Sequence, residues 1–406
     1  MTLTESDRAF VLHKSRQVME ATVSNLHAAA SIPYALGAWP NRRRGTMVCV
    51  GAGPSLAATG PHLAAMRADG ALICTVNTAF SAVARFVEVD VVLAREVVDV
   101  SSHLDYSAGL RVLDIGASSA VWAQALSMGE CAWFVPGCNQ TFELAASLGV
   151  RPLFGGTAAM TALVALCEQW GAAEIVLVGV DLALAPSGDA YAAGSAFAGM
   201  RAQIDAAGVA THGGTGFECK RTQHASGGVH APPSVEPTFE VEAWGGGTVR
   251  TTAAWIDQIP WLAEFARRHP DIACVDMTGA GARKAGWDEE AASAWEPFGE
   301  RASMYDIHDS WLAAPDVARA RARLIVEADM VSSLAATVLD PDGAVACVPG
   351  YLAGSDLVDA MAARDLTLGK ESTASMLAKV RHAYGTAFPS AAMRVRELCE
   401  PATRPA

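Results

Sequence analysis

The chain has 406 residues, 51% of them hydrophobic and 18% charged, a balance that excludes intrinsic disorder and suits one large folded unit or two domains. Its formal net charge of −13 works against binding a nucleic-acid polyanion, whose affinity rests on neutralising phosphates with Lys and Arg. No apolar run approaches the ~18 residues of a membrane span, the first residues mix charges with apolar side chains instead of forming a leader, and nine cysteines without a CxxC pair fit a reduced cytoplasm.

Residues 5–30 carry Phe10, Val11, Val18, Met19 and Leu26 at spacings that predict an amphipathic helix. The stretch IPYALGAWPNRRRG then breaks the pattern with Pro33, Gly37, Pro40 and Gly45, so residues 1–45 divide into an N-terminal helix and a linker. The basic run Arg42–Arg44 within it reads as a solvated linker face, with contact to an anionic partner as the alternative.

From residue 46 short apolar runs alternate with helical stretches: TMVCVG, ALICTV, VDVVLA, LRVLDIG, CAWFVP and EIVLVGV. Runs rich in Val, Ile and Leu that do not alternate with polar residues suit strands buried on both faces. The prediction is an α/β fold, a doubly wound, mainly parallel Rossmann-like sheet. Cys49, Cys74 and Cys167 fall inside these patterns as small buried hydrophobes.

The first run ends in GAGPSL. Gly51 and Gly53 occupy the first two glycine positions of a dinucleotide fingerprint, but Leu56 stands at the third, and the next strand ends in Asn77 in place of an acid. A standard NAD site is therefore disfavoured, and no GxxxxGK[ST] loop occurs. The glycines still admit a ligand close to the backbone and Ser55 adds a hydroxyl; a tight strand-to-helix turn without a ligand is the plainer alternative.

A second turn follows in LFGGTAAMTALVALCEQWGAAEIVLVGVDLAL. Thr157 is placed as an N-cap, Met160, Leu163, Val164, Cys167 and Trp170 form one apolar helix face, and Gly155 and Gly156 leave the helix N-terminus open to an anion. Asp181 falls at the carboxyl end of the next strand, the edge where open α/β sheets bind ligands. It could orient a hydroxyl, act as a base or hold a metal, or simply cap a turn at the surface.

Residues 183–250 have weak periodicity; their clearest element is FEVEAWGGGTVRT, where Phe239, Val241, Val249 and Thr251 flank a glycine tip as in a hairpin. His212, His224 and His230 are too widely spaced for a zinc helix, though one could serve as a general base. Lys220, Arg221, Arg250, Arg283 and Lys284 are the cations nearest the motifs and candidates for holding a phosphate or carboxylate. Residues 288–406 shift to helical periodicity and predict a helical C-terminal region. No GxSxG nucleophile turn is present.

Taken in order, VCVGAGPSL, ICTVNTAF, the GGTAAM turn with its LVGVDL strand end, YAAGSAF and the late MTGAGARKAG segment resemble the domain shared by motility accessory factors, which are flagellin glycosyltransferases, and 6-hydroxymethylpterin diphosphokinases. The resemblance spans residues 46–287 and implies a nucleotide-binding catalytic domain. It places Gly51, Gly53, Pro54 and Ser55 on the family's phosphate turn, Asn77 after the second strand, Gly155, Gly156 and Thr157 on the second turn, Asp181 on the carboxylate, and Thr278, Gly279 and Gly281 on the late segment. Departures are Arg95 and Glu96 near the family's second acid, Val180 for a glutamine, and Ala280 within the late glycine pair.

The resemblance implies a transferase that moves a nonulosonic acid from a nucleotide sugar, a cytidine monophosphate (CMP) sugar, to a hydroxyl of a protein such as flagellin. Asp181 would be its catalytic base, with no metal ligand assigned. The alternatives are a diphosphokinase that uses ATP and Mg2+, and a nucleotide-binding or assembly protein without turnover. No cofactor is expected for the transferase.

Overall fold

The computed structural model describes residues 45–296 apart from 105–108, 129–130, 138–144, 146–147, 157 and 227–232, with parts of 18–36 and the pair Trp311–Leu312. The first part of the expected N-terminal helix, Arg42–Arg44, Thr157, His230 and the expected helical region past residue 296 lie outside the described residues.

The main strands in chain order are β1 (Thr46–Val50), β2 (Leu72–Val76), β3 (Val91–Ala94), β4 (Leu110–Asp114), β5 (Cys131–Pro136), β6 (Glu174–Val178), β7 (Arg201–Ile204), β8 (Val209–Gly213), β9 (Val235–Glu242), β10 (Thr248–Thr252) and β11 (Ala273–Asp276). The helices used below are α1 (Ser119–Ser127), α2 (Ala159–Gln169), α3 (Thr215–Ser226) and α4 (Gln258–Arg268). Strands β1 to β6 are buried at every residue, as their unbroken apolar runs require of strands covered on both faces.

The large sheet runs β11-β6-β1-β2-β3-β4-β5, and each of these neighbours is parallel. Two-residue strands extend it: Asp288–Glu289 beside β11, and Ala35–Leu36 beside β5, with Trp311–Leu312 antiparallel to the latter. This is the doubly wound α/β architecture that the sequence pattern predicts. The chain steps outward from β1 to β5 and returns across the sheet to β6, so the winding reverses between β1 and β6. That reversal opens a crevice at their carboxyl ends.

Helix α2 makes this return and is buried from Met160 to Gln169, well beyond the single apolar stripe expected from its sequence. It packs on β1 and β2 and is covered on its other side by α4; a helix enclosed between a sheet and another helix has no solvent face. The N-terminal segment also reaches the core: Leu26, Ala29 and Ile32 are buried, and the Asn25 side chain donates to the carbonyls of Ile115 and Ala117 at 2.9 and 2.7 Å. Among the described residues no helix is long and apolar enough to cross a membrane.

The hairpin expected in the excursion forms with Phe239 opposite Thr251 and Val241 opposite Val249. The rest of the excursion is more regular than its sequence suggests. Strands β7 to β10 make a separate antiparallel sheet in the order β10-β9-β8-β7, with α3 between β8 and β9. Strands such as RAQI and VATHG carry Ala, Thr and Gly where an alternation would show apolar side chains, which blurs the period-2 signal. Their apolar side is a small core of Leu184, Ala190, Met200, Ala202, Ala210 and Phe217.

Lys284, a candidate for holding a phosphate by its sequence context, is instead buried in the fold. Its ammonium is fully buried 3.0 Å from Asp276 Oδ2, an ion pair by distance although the angle is not that of a hydrogen bond. Asp276 Oδ1 also accepts the Thr278 N–H. Removing one partner of a buried pair strands the other charge, at a cost of about 3–5 kcal/mol. Lys284→Met should accordingly lower the urea midpoint sharply, and the double variant Lys284→Met/Asp276→Leu should recover most of the loss.

Candidate functional site

The crevice holds a cavity of about 660 Å³, within the range of small-molecule sites. One end is built from the turns after β1 and β6, with Gly51, Gly53 and Asp181 in its wall; the other is built from residues after β3, β4 and β5, including Arg95, Glu96, Asp114 and Gly137. The start of α2 contributes Gly156, Ala158, Ala159 and Met160, and the excursion contributes Tyr191 and Trp255.

The two turns are clamped together. The amides of Gly51 and Gly53 donate to the carbonyls of Val178 and Gly179, both at 2.8 Å. Asp181 accepts the Ser55 N–H at 2.8 Å through Oδ2 and the Ser55 hydroxyl through Oδ1. A Cβ on Gly53 would lie 2.5 Å from Asp181 Cγ, and one on Gly281 would lie 2.3 Å from the Asp181 carbonyl oxygen. The amides of Gly51, Gly53 and Ser55, expected to cradle a phosphate, are thus committed to holding β1 against β6. Asp181 is only 5% exposed; burial pushes its pKa up, and the Ser55 bonds pull it back.

Of the other residues predicted for the site, Gly156 lines the cavity, and Gly155 lets α2 close in, since a Cβ there would meet Ala162 Cα at 2.3 Å. Asn77 lies behind Val76 and Thr78, which line the cavity; its side-chain amide is buried without a hydrogen-bond partner. Thr278 accepts the Val180 N–H at 3.3 Å, and Ala282 N–H donates to the Asp181 carbonyl at 2.7 Å. The late segment, with Gly279 and Gly281, therefore supports Asp181 from behind and does not line the cavity, and neither do Pro54 and Ser55.

The candidate anion cradle is the N-terminus of α2. Its N-cap is Ala158, in extended geometry, whose side chain has no group that could cap the first amides. The first amides of a helix have no internal acceptor and carry its positive end. Arg95 completes the cradle. Its Nε contacts Asp114 Oδ2 at 3.0 Å and its Nη1 donates to the Gly156 carbonyl at 2.5 Å, which leaves donors of the guanidinium for a ligand. Burial raises the Asp114 pKa, opposed by Arg95 and by the Gly116 N–H. Glu96 also lines the cavity and has no hydrogen bond or ion pair with a described side chain.

Sequence reasoning noted Arg95 and Glu96 only as departures and did not find Asp114, Tyr191, Trp255 or Gln258. The cations it favoured lie elsewhere. Arg221 pairs with Glu218, Arg250 with Glu240, Arg283 with Glu242 and Glu289, and Lys284 with Asp276, while Lys220 sits over the Phe197 ring. His212 is bound to Glu236 at 2.7 Å, and neither it nor His224 lines the cavity. Among the described residues no three His, Cys, Asp or Glu side chains converge as a metal-ligand set. The usable signal for Arg95 was its place after a buried strand, at the ligand-binding edge.

Residues 20–186 match the family model described as 6-hydroxymethylpterin diphosphokinase MptE-like. The structure is similar to that of the MAf glycosyltransferase from Magnetospirillum magneticum AMB-1, with a TM-score of 0.59 and 13% identity, over 96% of this chain and 58% of that one. At that identity the likeness is one of fold, and the chain spans less than two thirds of that protein. No curated protein matches the chain by sequence. The resemblance read from the sequence is therefore supported by the family model over residues 20–186 and by the fold.

The clamp between the turns makes a direct prediction. Gly53→Ala must push Asp181 off Ser55, so it should lower the melting temperature and abolish ligand binding in the crevice. Ser55→Ala, which removes one bond and adds no atom, should keep most of the stability in the same thermal melt.

Proposed function

We propose that the protein is a glycosyltransferase that takes a nonulosonic acid from a CMP-sugar and attaches it to a protein hydroxyl. The observation that carries this reading is the cradle of one arginine and one helix N-terminus that begins at an alanine N-cap, which suits a single phosphate and a neighbouring carboxylate. The fold shared with a MAf glycosyltransferase supports a transferase; flagellin is the acceptor in this proposal. Six free cysteines among the described residues, five of them buried, support a reducing compartment such as the cytoplasm.

In this mechanism the acceptor O–H gives its proton to a carboxylate while its oxygen bonds the anomeric carbon. The bond from that carbon to the phosphate oxygen breaks, and CMP leaves with its new charge on the α2 amides and Arg95. Two carboxylates with different surroundings are available. Both Asp181 oxygens are engaged by Ser55, whereas Glu96 lines the cavity and its carboxylate bonds no described side chain. The geometry favours Glu96 as the base, with Asp181, the base expected from the sequence, acting through the turn it holds.

A second reading, pyrophosphate transfer from ATP to a pterin alcohol, is favoured by the description of the matched family. Calorimetry with CMP and with ATP, each with and without Mg2+, separates the two. Binding of ATP and a pterin alcohol that depends on Mg2+, with no response to CMP, would transfer the assignment.

Glu96→Gln should lower turnover of the CMP-sugar by about 100-fold or more, the scale of one acid/base group, while leaving donor affinity within a few fold. Asp181→Asn should lower donor affinity together with turnover, because the turn it pins is part of the wall. Arg95→Met should weaken CMP binding by roughly 10-fold or more, the worth of charge-assisted hydrogen bonds. Steady-state kinetics and calorimetry on the same preparations check all three.

A further inference from the structure

The cavity is polarised. Arg95, Glu96 and Asp114 gather at the end beyond β3 and β4, whereas the wall made by Leu182, Ala183, Ala190, Tyr191 and Trp255 is uncharged. Trp255 and Tyr191 are both half-buried, with ring centroids 6.0 Å apart at an interplanar angle of 75°. Tyr191 is braced edge-on by Phe197 at 5.5 Å, and Phe197 by His103 at 5.6 Å. The loop carrying Tyr191 is tied to the first turn by the Ala192 N–H, which donates to the Ala52 carbonyl at 2.7 Å. These aromatic rings are therefore fixed in advance of any ligand.

We propose that Trp255 and Tyr191 form a platform for the nucleobase of the donor, and that Gln258 reads an amino group on that base. The inference rests on the donor reading above and adds where the base lies and of which kind it is. Base–aromatic stacking is sequence-tolerant because every base has a π-face, so discrimination has to come from a polar neighbour. Gln258 Nε2 donates to the Ala254 carbonyl at 3.2 Å, which leaves Oε1 as an acceptor on the cavity wall. An acceptor there favours the exocyclic amine of cytosine or adenine and repels the keto oxygen of uracil.

The spacing agrees. A Cβ on Gly156, beside the anion cradle, would lie 3.3 Å from the Trp261 ring. Asp257 keeps helical geometry (φ −72, ψ −19) between the Ala253–Ile256 turn and α4. Gln258 and Trp255 thus precede Trp261 by roughly one and two turns, about 4.5 and 9 Å along the axis. A mononucleotide covers that span between its phosphate and its base. The sugar hydroxyls, which are donors, then fall toward Glu96 and Asp114.

The test is calorimetry on the full chain with CMP, UMP, AMP and ribose 5-phosphate. CMP should bind at least 10-fold tighter than UMP. Trp255→Ala should weaken CMP by roughly 5- to 150-fold, the scale of one stacked base, and leave ribose 5-phosphate unchanged. Gln258→Met should bring CMP and UMP together. Equal loss of CMP and ribose 5-phosphate in Trp255→Ala, unchanged CMP affinity in that variant, equal CMP and UMP affinity in the wild type, or no binding of any of the four would overturn the proposal. So would a pterin alcohol whose binding depends on Trp255. AMP binding through Trp255 without CMP binding would keep the platform and remove the cytidine donor; normal CMP-sugar turnover in Trp255→Ala would keep the donor and remove the platform.

Discussion

The geometry of the site depends on how closely two backbone turns approach at the point where the sheet reverses. Gly51 and Gly53 lie against Gly179 and Asp181, and Gly281 closes on Asp181 from the other side, at distances that leave no room for a Cβ. A steric constraint of this kind does not depend on solvent or ionic strength. It brings three segments far apart in the chain to one place and fixes Asp181 in the crevice wall, where hydrogen bonds from Ser55 hold its carboxylate. The other walls are arranged around that fixed point: α2 returns beside it, and the excursion is tied back to it through Ala52 and Leu182.

The constraint also redistributes roles between the two glycine turns. A glycine turn can serve a ligand by exposing amides or serve the fold by letting strands approach, and the residues GAGPS are compatible with both. Here the hydrogen bonds decide. The amides of Gly51, Gly53 and Ser55 are satisfied within the protein, whereas the N-terminus of α2, beyond the second turn, has no side-chain cap among the described residues. The proposed anion site is therefore displaced from the motif that most resembles a phosphate loop to one that resembles it less.

The sheet was legible because its strands are buried on both faces, and an unbroken run such as VVLA or EIVLV has little alternative to a parallel core strand. The hairpin of β9 and β10 was legible because glycines at a tip are a strong local signal. The partners within the site were not legible. Arg95 meets Asp114 and Gly156 across 19 and 61 positions of chain, and Trp255 meets Tyr191 only because the excursion folds back. Lys284 shows the same limit from the other side, since nothing local distinguishes a buried ammonium paired with Asp276 from an exposed one beside Arg283.

Charge balance is the remaining constraint on what the crevice can hold. Among the described residues lining the cavity, Arg95 is the one arginine or lysine, against Glu96, Asp114 and Asp181. Asp114 already shares Arg95, and Asp181 is stabilised by Ser55; burial raises the pKa of both, so protonation relieves part of the negative charge at a higher pH than for an exposed aspartate. A ligand phosphate must then draw its attraction from the donors Arg95 has left and from the helix end, equivalent to roughly half a charge. That is enough for one phosphate ester and short of what three successive phosphates would require from side chains alone. The same acids that limit the phosphate count are good acceptors for hydroxyl groups, so the charge pattern that disfavours a polyphosphate favours a sugar at that end of the cavity.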